Sequence, residues 1–357
     1  MNDLTINTAE GAGFASGGEN GVLSKRPYIA TEGRYKGQSV VAVNTGGGYA
    51  EKPIHSNATL RKDEWIDLED SLMESARERL VIVDDLQSAG LTYNVGGLGT
   101  LISEWETSSE ITDADITMDG ESESDKDRQN FGLNGVPIPV IQKPFSIGER
   151  MLLASRQRGA GLDVTTGTEA ARAVARASEA MVFNGATIGA SNSAGNSYTI
   201  PGLTNFSGRG TYTIKDWSDV STPVTPEEIF TDILNMVKNA ETNQRHYGPF
   251  NLYIPGEYAS RFREDFKAES DKTLMERVQD EDVINRVRIS DTLSEGNVLL
   301  VQMERSVIDL AVASDVTTVQ WQSGSGWNNH FQVFASWAPR IKSDYDGRCG
   351  IIHGTTA

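Results

Sequence analysis

The sequence predicts an α+β fold, and three observations carry that prediction. Apolar residues recur at helical spacing in two long stretches, over residues 61–89 and 168–184. Short apolar runs bounded by Pro and Gly indicate strands through the second half of the chain. A glycine-rich N-terminal stretch and a strongly acidic segment at residues 104–128 indicate extended parts with little core of their own.

Length and charge limit the classes of function. The 357 residues allow two or three domains or one elaborate domain. With 50 acidic against 32 basic side chains, the net charge is −18, which disfavours binding to a phosphate backbone or an anionic membrane. The single cysteine, Cys349, excludes an intramolecular disulfide and a cysteine-based zinc site. We see neither a signal-peptide pattern nor a run of 18 apolar residues, so we expect a cytoplasmic setting.

The N-terminal segment, residues 1–60, is predicted to be an extended arm. It is rich in Gly, Asn, Ser and Thr, and its apolar residues lie in short pieces such as Ser39–Val43, which indicates at most one strand. Such arms are rarely ordered alone, so we expect this one to lie on a partner. The next stretch, residues 61–89, is predicted to be one amphipathic helix that ends at Gly90.

The segment 104–144 is predicted to be a long β-hairpin. Between Glu104 and Arg128 there are ten acidic and two basic residues. Strand-like alternation lies within this acidic run, over residues 111–118, and an uncharged stretch at 136–141, in which prolines favour an extended backbone, follows the run. Two extended stretches joined by a polar tip describe a hairpin that projects from a body.

A short helix and a long helix follow. Residues 145–160 are predicted to be helical, and a helix of about 20 residues over roughly 168–184 is predicted to begin at a Thr168 cap. Its apolar face is rich in alanine, which lets other elements pack closely. Asn184–Gly185 is predicted to end it.

The C-terminal third mixes both kinds of element. Thr225–Pro226 and the following acidic residues predict a helix that runs to about Thr242. A buried strand is predicted at 251–255, a helix at 257–266, strands at 298–303 and 307–313, and strand-rich, aromatic sequence over 332–352.

No motif for catalysis stands out. The four histidines are not spaced as metal ligands on a helix, and no GxSxG elbow or phosphate-binding glycine loop is present. The acidic run lacks the order of an EF-hand, so a solvated loop tip is the favoured interpretation. We therefore predict no enzyme activity, no cofactor and no metal site.

The order of the parts resembles the major capsid proteins of tailed phages of the Hong Kong 97 type, and their relatives the encapsulins. Residues 169–185, followed by Ile200–Leu203, look like the spine helix of that family and the Gly-Leu turn after it. Residues 247–255, 274–278 and 298–301 are similar to strands and a helix of its axial domain. Encapsulins usually have Glu-Asp where this chain has Glu179-Ala180.

The resemblance implies a division of the chain into six segments. These are an N-terminal arm (1–60), an N-terminal helix region of the peripheral domain (61–103), an extended loop (104–144), the peripheral domain with its spine helix (145–224), an axial domain (225–320) and C-terminal strands that return to the peripheral domain (321–357). The arm and the loop would bury their apolar residues on neighbouring subunits. The expected inter-subunit contacts are Asp113, Asp115, Asp119, Lys126, Arg128, Ile138, Val140, Ile141 and Lys143.

The function implied is that of a self-assembling major capsid protein. Its partners would be copies of itself in pentamers and hexamers, together with portal, scaffolding or decoration proteins, and the shell would enclose double-stranded DNA without reading its sequence. The virion would assemble in the host cytoplasm. One alternative is an encapsulin-like compartment. Another, of a different class, is a hydrolase or a divalent-cation-dependent binding protein that uses the acidic 104–128 segment.

Overall fold

The computed structural model describes residues 28–29, 39–44, 49–53, 62–77, 80–109, 116, 118, 128–158, 164–189, 197–219, 223–267, 272–322 and 328–356. The chain divides into two compact units, residues 1–60 and 61–357. In the first unit, three strands form an antiparallel sheet in which the second is central. They are β1 (Tyr28–Ile29), β2 (Ser39–Asn44) and β3 (Tyr49–Pro53). The sequence indicated only one of them.

The second unit begins with two helices where the sequence predicted one. They are α1 (Lys62–Arg77) and α2 (Ile82–Ser88). The single-helix prediction over 61–89 was wrong because the backbone N–H groups of Val81, Ile82 and Val83 bind the carboxylate of Glu179. A side chain about a hundred residues further along the chain therefore fixes the start of α2, and local periodicity carries no sign of it. Gly90 follows α2 with a φ of 69°, which a residue without Cβ adopts at little cost.

The long helix of the chain is α4 (Thr165–Asn184), which is 20 residues long. It ends where the sequence predicted, and Gly185 after it has a φ of 72°. The predicted Thr168 cap was wrong because the helix begins three residues earlier, with Val164 before it. The predicted short helix at 145–160 is a strand, β7 (Ile141–Gly148), followed by α3 (Glu149–Arg158).

A four-stranded sheet packs against α4. Its order is β4–β14–β15–β7, formed by β4 (Thr92–Asn94), β14 (Ile308–Gln322), β15 (Asn328–Ile341) and β7. Only the β4–β14 pair is parallel. Phe145 and Phe331 stack with ring centroids 5.1 Å apart. A Cβ at Gly167 of α4 would lie 3.0 Å from Leu72, so glycine is what allows α1 and α4 to approach closely.

A mixed five-stranded sheet forms the second core. Its order is β10–β16–β13–β11–β12, with the two outer pairs parallel and the two inner pairs antiparallel. The strands are β10 (Gly210–Ile214), β11 (Phe250–Pro255), β12 (Ile284–Ser290), β13 (Asn297–Gln302) and β16 (Ile351–Thr356). The helices of this region are α5 (Pro226–Thr242), α6 (Ala259–Phe262) and α7 (Leu274–Gln279).

Two hairpins lie outside these sheets. One joins β5 (Ile102–Ser108) to β6 (Phe131–Pro137), and the other joins β8 (Ala186–Gly189) to β9 (Ser197–Ile200). The C-terminal segment 321–357 is shared between the sheets, because β15 lies beside β7 while β16 inserts between β10 and β13. Among the described residues, no helix is long and apolar enough to cross a membrane.

Candidate assembly surface

The β5–β6 hairpin presents two different faces. Its strands pair over seven residue pairs, from Ile102 opposite Pro137 to Ser108 opposite Phe131. Because side chains alternate along a strand, directly opposed residues share a face. One face therefore carries Ile102, Glu104, Glu106 and Ser108 with Phe131, Leu133 and Pro137. The other carries Ser103, Trp105 and Thr107 with Asn134 and Val136.

The first face, which we call the outward face, leaves large apolar side chains in water. Ile102, Leu133 and Phe131 are 48%, 66% and 69% exposed, and Leu101 at the start of the hairpin is 74% exposed. Glu104 and Glu106 lie beside them and are also exposed. A group of exposed apolar residues with a charged border is typical of a protein-interaction surface.

The second face packs onto the body of the chain at the root of the hairpin. Ser103 and Val136 are buried, with 4% and 1% exposure. Arg340 of β15 reaches this face, where its Nη1 donates to the Ser103 hydroxyl at 3.3 Å and its guanidinium carbon lies 5.9 Å from the Trp105 ring centroid. The hydroxyl of Ser336 donates to the carbonyl of Pro139 at 3.0 Å. The root is thus attached to the four-stranded sheet by polar as well as apolar contacts.

Arg340 is itself part of a buried ion-pair cluster. Its Nε and Nη2 donate to the two carboxylate oxygens of Asp309 at 2.5 and 2.6 Å, which is the bidentate geometry that a guanidinium favours. Lys342 donates to the same carboxylate at 2.7 Å. Asp309 is fully buried, and two cations on one carboxylate offset the cost of removing it from water.

The structure divides the expected contact residues into four groups, one of which is the buried Ile138 alone. Asp113, Asp115, Asp119 and Lys126 lie outside the described residues. Arg128, Val140 and Lys143 are exposed, with Val140 at 52%. Ile141 is half-buried in β7, opposite Ala335.

Ile138 lies inside the chain's own fold. It is 8% exposed, and its backbone N–H donates to the carbonyl of Leu101 at 2.9 Å. The expectation that Ile138 must bury itself on a neighbour therefore needs correction, because the root of the hairpin already covers it. Val140 and the outward face remain available to another subunit.

Neither the outward face nor the Arg340–Asp309 pair that contacts the hairpin was predicted from the sequence. Residues 102–108 alternate in burial in the structure, but Ile102 is exposed and Ser103 is buried, so no apolar alternation in the sequence would have identified the face. No local signal marks Arg340 and Asp309, because they meet only through the pairing of β14 with β15.

A second polar junction links α4 to α2. Glu179 is fully buried, and its Oε1 accepts from the N–H groups of Val81 and Val83 at 2.7 and 3.1 Å. Its Oε2 accepts from Ile82 at 3.3 Å. Burial raises the pKa of Glu179 to about 7, against the lowering effect of these three hydrogen bonds, and the charge of Asp85 raises it further.

Asp85 continues this junction to the five-stranded sheet. It lies on α2 with 2% exposure and accepts a hydrogen bond from the Tyr253 hydroxyl of β11 at 2.9 Å. Arg288 of β12 donates to it at 2.8 Å. The short helix α2 is thus held at one end by a carboxylate of the long helix α4, and its own carboxylate binds Tyr253 and Arg288 at the edge of the other sheet.

Other reactive groups are buried in ways that favour structural roles. Burial raises the pKa of the Cys349 thiol to about 12, so it stays protonated. His353 lies between Asn297 and Arg209, and burial followed by the charge of Arg209 lowers its pKa to about 4. Within the described part of the chain, no three His, Cys, Asp or Glu side chains gather as a metal ion would require.

Comparisons with known proteins agree on the kind of fold. The family described as a family of unknown function (DUF6260) matches residues 55–354. A type 1 encapsulin shell protein of Myxococcus xanthus is 26% identical over 305 residues, which cover 83% of this chain and 92% of that protein.

Solved structures extend this result. A virus-like particle protein from Pyrococcus furiosus superposes with a TM-score of 0.56 at 18% identity, over 80% of this chain and 97% of its own. The capsid protein of Myoviridae phage XM1 superposes with a TM-score of 0.57 at 11% identity, over 76% and 91%. The fold is therefore of the Hong Kong 97 type, which capsid and encapsulin shell proteins share, and this confirms the fold that the resemblance implied.

Proposed function

The chain belongs to the DUF6260 family, and we propose that it is the major capsid protein of a tailed bacteriophage. Copies of it would assemble into the icosahedral head that encloses the double-stranded DNA genome. The outward face of the hairpin is the observation that carries this proposal, because its apolar side chains have no cover within the described chain. Closed symmetric shells cover such a face by repeating one heterologous contact between neighbours.

The net charge of the chain supports a capsid in particular. Residues 1–60, predicted to be an extended arm, instead divide off as a compact unit that contains a three-stranded sheet, and we propose that this unit contacts neighbouring subunits. The net charge of −18 suits a container for nucleic acid, since a wall that does not bind DNA leaves a packed genome free to move. The hairpin and the arm would supply most of the contacts between subunits, and portal, scaffolding or decoration proteins would complete the particle.

A protein compartment of the encapsulin kind is the second candidate. The observation in its favour is the 26% identity to the Myxococcus xanthus shell protein over 92% of that protein's length. In this case the same shell contacts would form in the cytoplasm around a protein cargo. Both candidates assign the chain a structural role without catalysis, so their difference lies in the contents of the shell.

Particle size tests the shell, and particle contents test the phage assignment. The expressed chain is purified without denaturant and examined by light scattering and electron microscopy. Sixty copies of a 38.8 kDa chain would give a particle of about 2.3 MDa, and larger shells would be symmetric multiples of pentamers and hexamers. A chain that stays monomeric under crowding, at high salt and in its native cells would contradict both candidates.

Particles from the native source are then treated with nuclease and analysed for DNA and protein. Protected DNA of uniform length supports the phage capsid. A co-purifying enzyme without protected DNA overturns it in favour of the compartment. Neutral substitutions of Asp113, Asp115 and Asp119 should change assembly alone, whereas the loss of a hydrolytic or cation-dependent activity would support the third class of function.

A further inference from the structure

Arg340 is placed to control the orientation of the hairpin. It is 5% exposed and lies between the four-stranded sheet on one side and the hairpin root on the other. We propose that Arg340 is a positioning residue that sets the angle at which the β5–β6 hairpin leaves the body, and so presents the outward face for assembly. The consequence for assembly rests on the proposed function, whereas the positioning itself does not.

Each part of the guanidinium has a separate task. Nε and Nη2 are bound to Asp309 on the neighbouring strand, directly opposite Arg340 in the sheet register, so the group cannot rotate. Nη1 is left to reach the Ser103 hydroxyl on the hairpin. The planar guanidinium of Arg340 therefore connects the four-stranded sheet to the hairpin by hydrogen bonds on both sides.

The faces of the guanidinium add a second restraint. Its carbon lies 3.9 Å from the ring centroid of Tyr93, on the short strand β4, and 5.9 Å from that of Trp105 on the hairpin. A planar cation that lies against two aromatic rings favours one relative arrangement of the strands that carry them. An ammonium group provides charge without this planar geometry. The Arg340→Lys substitution would therefore lose both the bidentate hydrogen bonds to Asp309 and the contacts with the two aromatic rings.

The cluster is built so that this contact can be weakened without unfolding the sheet. Lys342 also binds Asp309, at 2.7 Å, so the buried carboxylate keeps a cation when Arg340 is altered. The hairpin itself keeps the seven paired positions between its strands. Loss of the Arg340 contacts should thus release the angle of the hairpin and leave its internal structure intact.

The orientation of the hairpin is measured by pulsed electron spin resonance in subunits before assembly. Spin labels are attached through Glu106→Cys on the hairpin and Lys238→Cys on α5, two exposed positions. Cys349 is buried and its pKa is raised, so it should not react with the label. Labelled chains are diluted into an excess of unlabelled chains, so that only distances within one chain are detected.

We expect one narrow distance distribution for the labelled parent and a clearly broadened one for Arg340→Lys. A matched control is Arg277→Lys. Arg277 also lies over an aromatic ring, with its guanidinium carbon 4.9 Å from the Phe230 ring centroid, but it is on α7, far from the hairpin root in sequence. The control should keep the narrow distribution. If Arg340→Lys does not fold, Trp105→Leu tests the same contact from the hairpin side and leaves the Asp309 pair intact.

An unchanged distribution in the Arg340 and Trp105 variants would overturn the proposal, as would equal broadening in the Arg277 control. If the parent chain forms shells, the rate of shell assembly should be about tenfold lower for Arg340→Lys, because a charge-assisted hydrogen bond and an aromatic contact are lost. If the parent chain forms no shells while Arg340→Lys still broadens the distribution, the proposed function fails and the positioning role stands.

Discussion

The five-stranded sheet region and the β5–β6 hairpin differ in where their apolar side chains lie, in the core or in contact with water. In the sheet region, β11 is buried along its whole length, pairs with β12 and β13, and shares one hydrophobic core with α5. In the hairpin, one face is buried only at its root, and the outward face is left to water. The first region carries the partners that stabilise it, whereas the outward face of the second has no cover among the described residues. Changes in the two regions should therefore separate folding from assembly.

The largest effect is expected in the sheet region. Leu300→Ala removes a fully buried side chain from the centre of β13, opposite Leu252 and Ile352. The free energy of unfolding should fall by about 3 to 5 kcal/mol, because a cavity adds to the lost burial. Urea unfolding followed by circular dichroism measures this change. A loss below about 1 kcal/mol would show that this core is less tightly packed than the structure indicates.

Glu179 should give the next largest effect, and it should depend on pH. Its folded pKa of about 7 lies above the ordinary value of 4.5, so the protonated form is favoured by folding. Its contribution to stability is present in full below about pH 4.5 and is lost as the pH rises to about 7. The upper limit of this loss is about 3 kcal/mol.

The comparison of Glu179→Gln with the parent across this pH range isolates the effect. The stability advantage of the parent over the variant should shrink between pH 4.5 and 7 and stay constant above. Urea midpoints at four or five pH values are sufficient. A pH-independent difference would mean that the three backbone hydrogen bonds hold the pKa of Glu179 near its ordinary value.

A smaller effect is expected at the start of α5. Thr225 accepts from the Glu228 backbone N–H, and the Glu228 side chain accepts from the Thr225 N–H, which completes a capping box. Thr225→Ala should lower the free energy of unfolding by about 1 kcal/mol and leave assembly intact. Thermal unfolding and light scattering on the same sample check both parts. Lost assembly without lost stability would place this helix end in an interface.

The smallest effect on stability and the clearest effect on assembly are expected for Leu133→Ser. Leu133 is 66% exposed on the outward face, so the subunit should lose no more than about 0.5 kcal/mol. Shell formation should be strongly reduced, because the apolar contact with a neighbour is lost. Leu234→Ser is a matched control, since Leu234 is 40% exposed on α5. If Leu234→Ser reduces assembly equally, the outward face of the hairpin is not specifically required for assembly.

Local sequence signals predicted the elements whose ends are defined by nearby residues. The helix α5 begins after Thr225 and ends at Thr242, as its Pro and acidic first turn indicated. The end of α4 at Asn184–Gly185 was likewise correct, because Gly185 adopts a positive φ. A hairpin is present in the predicted 104–144 region, but its first strand is β5 over Ile102–Ser108, whereas the strand predicted from alternation over 111–118 lies mostly outside the described residues.

Predictions failed where distant residues define the ends of an element. Residues 61–89 lack a break signal, yet the carboxylate of Glu179 on another helix fixes a new helix start near Val81. Phe145 and Ile147 have helical spacing to the residues after them, yet pairing with β15 places them in a strand. Ile138 could not be separated from Val140 by sequence, since both are apolar and only the fold covers one of them.

The sequence by itself determined the α+β class, the presence of a hairpin before the long helix α4, and thereby the likeness to shell proteins. These features follow from periodicity, capping and composition, which act over a few residues. The tertiary structure alone decided that Arg340 joins Asp309 to Ser103, and that Ile102, Phe131 and Leu133 form an exposed face. Strand pairing brings residues together over long separations, and a single sequence contains no local trace of that pairing.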